Sequence, residues 1–123
     1  RMEMGVCHCS MCRKWSGGTC MAVSCDAVEI EDETHVKAFQ SSGWGERLFC
    51  NQCGSTLIWR TQDKSHSAVS AQAFYDPAAF DFTGEIFVDC KPENFAFSNS
   101  TKKMTEAQVL AKFAPPTESN NDG

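Results

Sequence analysis

The sequence predicts a small, mainly β domain. Short stretches such as Thr19 to Cys25 and Ser55 to Arg60 alternate apolar and polar residues with a period of two, the signature of half-buried strands. Glycine-bearing turns punctuate them, and one capped helical segment stands out, close to the end of the chain. At 123 residues, the chain is long enough for one domain with a real core, though not a generous one.

Taken in order, residues Cys7 to Cys12 form a cysteine-rich loop, and Trp15-Ser16-Gly17-Gly18 reads as a tight loop after it. Thr19 to Cys25 is a strand, with Thr19, Met21, Val23 and Cys25 on one face. Asp26 to Glu33 is acidic and reads as a short strand or an irregular turn. Thr34 to Gln40 is a strand, and Ser41-Ser42-Gly43-Trp44-Gly45 a turn. Glu46 to Phe49 enters the pair Cys50-Asn51-Gln52-Cys53 as a strand, and Ser55 to Arg60 leaves it as another. Gly54 after the second cysteine allows positive φ, so that backbone N–H groups can turn toward the thiols. Ser67 to Ala71 is a further strand, Tyr75-Asp76-Pro77 opens a turn or one helical turn, and Glu85 to Asp89 is the last strand. The helix follows: Thr105 and Gln108 are spaced for a capping box, and Met104 and Val109 for a hydrophobic staple. Val109, Leu110 and Phe113 share its apolar face, and Pro115-Pro116 stops it. The domain is expected over residues 1–116, with 117–123 a polar tail.

Composition excludes several classes of function. The net charge is −5 and no segment concentrates Lys and Arg, which argues against a nucleic-acid partner. No apolar run approaches the roughly 18 residues that cross a bilayer, so no membrane partner is expected. No basic start followed by an apolar stretch reads as a signal peptide, which points to the cytoplasm. Four disulfides from the eight cysteines are rejected: a Cys7–Cys9 bridge would close a strained ring, and a reducing compartment suits metal coordination better.

The cysteines carry the chemistry. Cys7-His8-Cys9-Ser10-Met11-Cys12 combines Cys-x-Cys with Cys-x-x-Cys, spacings that put three sulfurs on one side of a tight turn. Zinc takes a tetrahedral set of such ligands: three protein ligands leave a catalytic position open, and four close a structural site. A fourth ligand could come from Cys90, Asp89, His35 or His66; His8 is poorly placed, because both its neighbours bind. Cys50 and Cys53 are only half of a site. Cys20, Cys25 and Cys90 read as small buried hydrophobes. Arg13-Lys14 could attract a small anion, or could be a solvated pair.

Cys7-His8-Cys9-Ser10-Met11-Cys12-Arg13-Lys14-Trp15-Ser16-Gly17-Gly18 resembles the central motif of the glutathione-dependent formaldehyde-activating (GFA, CENP-V/GFA) family. Phe49-Cys50-Asn51-Gln52-Cys53-Gly54-Ser55 is similar to its second motif, and Ile86 to Pro92 and the Met104 to Pro116 ending are also similar to bacterial members. The resemblance covers nearly the whole chain. It implies an Mss4-like fold of small antiparallel sheets with zinc knuckles and one short C-terminal helix. It implies zinc: a catalytic ion on Cys7, Cys9 and Cys12, and a structural ion on Cys50 and Cys53 with an N-terminal Cys-x-Cys. That last pair is absent ahead of Cys7, so the domain reads as N-terminally short and the second ion lacks half its ligands.

The implied activity is that of a carbon–sulfur lyase of the S-(hydroxymethyl)glutathione synthase kind. A thiol such as glutathione adds to formaldehyde or a similar small electrophile, and the reverse. Arg13 or Lys14 would meet a carboxylate of the thiol, while Trp15, Ser16 and Gly17-Gly18 would shape the mouth. The rival from another class is a non-catalytic zinc-binding interaction or scaffold module, favoured by a fourth protein ligand on the triplet. A redox role for Cys50 and Cys53 is disfavoured, since a hairpin supplies no helix to lower the thiol pKa. Unpaired sheet edges favour a homodimer, which could even share a four-thiolate site from two Cys50/Cys53 pairs.

Overall fold

The computed structural model describes residues 2–113, so Pro115-Pro116 and the polar tail lie outside the described residues. The strands are β1 (Met2–Cys7), β2 (Cys20–Cys25), β3 (Val36–Phe39), β4 (Gly45–Cys50), β5 (Thr56–Thr61), β6 (Ser67–Ser70), β7 (Phe80–Ile86) and β8 (Lys102–Met104). They join into one sheet in the order β3-β4-β5-β6-β2-β1-β7-β8. The helices are α1 (Ser10–Ser16) and α2 (Glu106–Phe113). The protein is mainly β.

Among the described residues, five of the seven pairings are antiparallel, and of these β3 with β4, β4 with β5 and β5 with β6 join strands consecutive in sequence. Two junctions are parallel instead: β1 with β7, and β7 with β8. Parallel strands need long crossovers, which is why neighbouring sequence carries no trace of them. β1 runs through the middle of the sheet, between β2 and β7. Residues Met2–Cys7 are thus a central strand that buries Val6. Its register shifts between Met4 and Gly5, where a Cβ on Gly5 would stand 3.1 Å from the Gly84 carbonyl oxygen.

Other elements differ from the sequence reading in detail. Residues Ser10–Ser16 are helix rather than loop, and Gly17 ends that helix with φ of 77°. Segment 26–33 is irregular, and the expected strand over 85–89 lies earlier, at Phe80–Ile86. It stops because Phe87 takes a left-handed φ of 57° and starts a 3-10 turn over Val88–Cys90. The capping box of α2 forms: Thr105 N–H donates to Gln108 Oε1 at 2.7 Å, and Gln108 N–H to Thr105 Oγ1 at 3.3 Å.

One buried cluster and one half-buried aromatic pair follow. Val109 of α2 and Phe87 close over Cys9 and Cys12, with Met11, Ile86 and Met104 around them. At the other end, Trp44 and Trp59 meet edge to face at 5.3 Å over Gly45. A Cβ at Gly45 would stand 2.6 Å from Trp59 Nε1, closer than any relaxed contact. Gly45→Ala is therefore expected to lower stability by about 1–3 kcal/mol, read from the urea midpoint. An unchanged midpoint would show that the Trp59 ring moves freely.

Candidate metal and thiol site

β1 ends in Cys7, and α1 begins one residue after Cys9, so the triplet straddles a strand-to-helix turn. Cys9 is the N-cap of α1, its Sγ accepting the Cys12 N–H at 3.2 Å. Sulfur takes the role that a Ser or Asp oxygen usually plays at that position. The Sγ atoms of Cys7, Cys9 and Cys12 all lie within 4.8 Å of one another. A tetrahedral ion with bonds of about 2.3 Å needs its sulfurs about 3.8 Å apart, so the three are gathered close to that span. Cys9 and Cys12 are buried, while Cys7 is half-buried. No disulfide links any of the cysteines.

Arg47 of β4 completes the immediate surroundings. Its Nη2 and Nη1 stand 3.6 and 3.7 Å from Cys12 Sγ, and its guanidinium lies 4.8 Å from the Trp15 ring centre. Arg47 is only 3 % exposed and forms no ion pair with a carboxylate among the described residues. A guanidinium is always charged, and burying one without an anion is costly. The sulfur cluster is the anion it faces.

Cys20, the first residue of β2 and in sequence a small buried hydrophobe, is a neighbour of the triplet. Its thiol packs against the buried cluster that holds Cys9 and Cys12. Bonds from Cys20, Cys7 and Cys9, together with the charge of Arg47, pull the Cys12 thiol well below the ordinary cysteine range. The same contacts hold the other thiols protonated. Cys9 is pushed up to about 12, chiefly by its bond with Cys12. Cys7 is raised by its bonds with Cys12 and Cys9 and by burial. Four thiols crowded together thus ionise one at a time, with Cys12 first. A divalent cation relieves the repulsion that keeps the rest neutral.

His8 points away from this cluster. It is 1 % exposed, and its Nε2 lies 2.8 Å from Glu85 Oε1, itself on a residue 3 % exposed. Glu85 also accepts from the Thr101 hydroxyl, and Lys103 Nζ stands 3.8 Å away. The His8 N–H donates to the Ile86 carbonyl at 3.0 Å, and Arg13 Nε donates back to the His8 carbonyl at 3.0 Å. These bonds fix the residue between two sulfurs, and so fix the turn.

Residues 1–90 match the family model described as glutathione-dependent formaldehyde-activating enzyme, nearly three-quarters of the chain. A curated relative, an uncharacterized lyase of Schizosaccharomyces pombe, is 31 % identical over 110 residues, covering 88 % of this chain and 80 % of that protein. The chain belongs to the glutathione-dependent formaldehyde-activating family.

Within that family frame, the expected site residues fall in three places. Arg13 and Lys14 of α1 line an open cleft of about 610 Å³, with His8, Ser10, Asn94 and Phe95. Trp15 turns the other way and lines a smaller apolar cavity of about 250 Å³ with Arg47, Phe39 and Phe49. Ser16 faces neither; its hydroxyl bonds the Cys12 carbonyl at 2.8 Å and so serves the end of α1. Cys50 and Cys53 sit at the tip of the β4–β5 hairpin, where the Gly54 N–H, at a φ of 79°, bonds the Cys50 carbonyl at 2.8 Å. Among the described residues, no third His, Cys, Asp or Glu joins that pair. Nor do Cys90, Asp89, His35 or His66 join the triplet. Asp89, Cys90 and Glu106 gather with one another instead, where Asp89 caps α2 through the Glu106 N–H at 2.9 Å.

Arg47 and Glu85 left no mark in the sequence reading. Both are charged residues inside strands, whose burial depends on distant partners. Cys20 reaches the triplet through its pairing with Cys7 across β1 and β2, which no local motif announces.

Proposed function

We propose that the protein is a zinc-dependent carbon–sulfur lyase that adds a thiol such as glutathione to formaldehyde or a similar small electrophile, and catalyses the reverse. The observation that carries this reading is the triplet: three sulfurs within 4.8 Å of one another, with a buried Arg47 as counter-charge. Family membership and the lyase name of the Schizosaccharomyces pombe relative support it.

The donor set fits zinc, and Cys7, Cys9 and Cys12 would hold it. Bound there, zinc would lower the pKa of a fourth, incoming thiol so that it is a thiolate at neutral pH. The chain's own residues do the rest. The His8–Glu85 pair and the Cys9 cap keep the turn rigid, so the sulfurs need little rearrangement. Arg47 offsets the negative charge gathered at Cys12. The Arg13 and Lys14 cleft, whose wall includes the neighbours of Cys9, holds the carboxylates of the thiol. In the reaction the sulfur lone pair forms the C–S bond, the carbonyl π pair moves to oxygen, and the proton lost by the thiol ends on that oxygen.

The test is exchange between formaldehyde hydrate and its glutathione adduct, followed by NMR with zinc-loaded protein. Exchange above the uncatalysed rate, lost in Cys9→Ser, is expected. Lys14→Glu should raise KM for glutathione several-fold and leave an uncharged thiol such as mercaptoethanol unaffected. No acceleration by fully metal-loaded protein would sink the proposal. A non-catalytic zinc module is the second reading, and the position of Cys20 beside Cys12 is the observation that favours it.

A further inference from the structure

We propose that Cys20 is an exchangeable fourth ligand of the ion held by Cys7, Cys9 and Cys12, resident when no substrate thiol is bound and displaced when one arrives. The inference rests on the reading of the triplet as a metal site.

Three observations place Cys20 in that role. First, β1 and β2 are antiparallel with Cys7 and Cys20 as register partners. Directly opposed residues project from the same face of a sheet, with Cβ atoms about 4.5–5.5 Å apart. Sheet register therefore delivers this thiol to the triplet, independently of any local motif. Second, Cys20 packs against the buried cluster of Cys9 and Cys12 but falls outside the set of three mutually close sulfurs. It is poised beside the site rather than built into it. Third, Cys9 and Cys12 are buried, whereas Cys7 and Cys20 are half-buried. The partly exposed edge of the cluster is thus the one that Cys7 and Cys20 share.

The local backbone suits a ligand that comes and goes. Cys20 follows Gly17-Gly18-Thr19, and a Cβ at either glycine would meet nothing within 4 Å. The segment between α1 and β2 thus has space around it and low torsional cost, as a hinge requires. The exchange balances without an outside reagent. The sulfur of Cys20 leaves the ion as the substrate sulfur arrives, Cys20 takes the proton that the substrate thiol loses, and it passes that proton to the product oxygen as its own sulfur returns to the ion. A site that is four-sulfur at rest protects the ion, yet opens only to another thiol. That reconciles a closed, structural-looking shell with catalysis.

The experiment uses zinc-loaded full chain in X-ray absorption, with Cys20→Ser and Cys20→Ala beside it. Wild type is expected to show four sulfurs at about 2.3 Å, and both variants three sulfurs with one oxygen or nitrogen. In parallel, alkylation of Cys20 by iodoacetamide is read by mass spectrometry. Saturating glutathione is expected to speed it at least ~10-fold in zinc-loaded protein and to leave metal content unchanged. A wild-type shell of three sulfurs and one light atom overturns the proposal while leaving the triplet reading intact. Four sulfurs with Cys20 labelling unmoved by glutathione overturns the exchange and supports the non-catalytic module. Zinc content that is unaffected by Cys9→Ser overturns the triplet reading, and this inference with it.

Discussion

Replacing Glu85 with alanine is expected to cost about 2–5 kcal/mol of folding stability, because His8 and Thr101 lose the acceptor they share and each donor left unpaired costs about 1–3 kcal/mol. A domain of this kind has about 5–15 kcal/mol in total, so the variant should unfold at much lower urea or fail to accumulate. The reason is local. Glu85 is 3 % exposed and serves His8, Thr101 and Lys103 at once. An ionised carboxylate only accepts, so His8 Nε2 must donate to it, and alanine leaves that buried donor without a partner. Glu85→Gln keeps an acceptor and should cost less, about 1–2 kcal/mol. Burial by itself pushes the Glu85 carboxyl up, but the bonds from Thr101 and His8 and the charges nearby outweigh it and hold the group below its ordinary 4.5. A lowered folded value means that the carboxylate stabilises the fold fully above that pH, and that the contribution fades as pH falls through the lowered value. The stability gap between wild type and Glu85→Gln should therefore shrink as pH drops below 4.5. A gap that stays constant down to acid pH, or an alanine variant within ~1 kcal/mol of wild type, would show that the pair does not hold the turn.

What was legible in the sequence was local. Strand alternation located β2, β4 and β5, because a half-buried strand prints its two faces in order. The Thr105/Gln108 box located α2, because both partners of that motif lie three residues apart. The triplet was legible because sulfurs at Cys-x-Cys-x-x-Cys spacing converge whatever surrounds them. The rest depends on distant partners. β1 is six residues with a glycine bulge, and it is a strand because β2 and β7 flank it. β8 is Lys-Lys-Met, with no apolar alternation, held by parallel pairing to β7. α1 looked like a loop because its cap is a cysteine sulfur rather than a usual capping oxygen. The same division runs through the site. Cys7, Cys9 and Cys12 come from one turn, whereas Cys20, Arg47 and Glu85 arrive through sheet pairing. Of the substrate-binding residues read from the central motif, Arg13 and Lys14 line one cleft and Trp15 another, while the Ser16 hydroxyl turns back to the Cys12 carbonyl.

The second large effect is expected at Cys12, where metal binding and folding meet on one atom. Cys12→Ser is nearly isosteric, but a hydroxyl does not ionise at neutral pH. Arg47 then keeps its charge inside the protein with no anion to face. Zinc-free Cys12→Ser is therefore expected to lose about 3–5 kcal/mol, far more than the change in volume explains. It should also bind zinc at least roughly a hundredfold more weakly by chelator competition, because one ligand and its charge are gone. The two losses are separable. Arg47→Met keeps the length and apolar bulk of the side chain against Trp15 and removes the buried charge. Placed on Cys12→Ser, it should restore most of the stability and none of the zinc affinity. Placed on wild type, it should leave zinc-free stability nearly unchanged and weaken zinc about 10–100-fold, since the thiolates then lack their counter-charge. The double-mutant cycle reads the coupling directly, and at least ~2 kcal/mol is expected between residues in contact. Additive effects of the two substitutions would show that Arg47 does not depend on Cys12. Recovery of zinc in the double variant would show that the ion never relied on this sulfur.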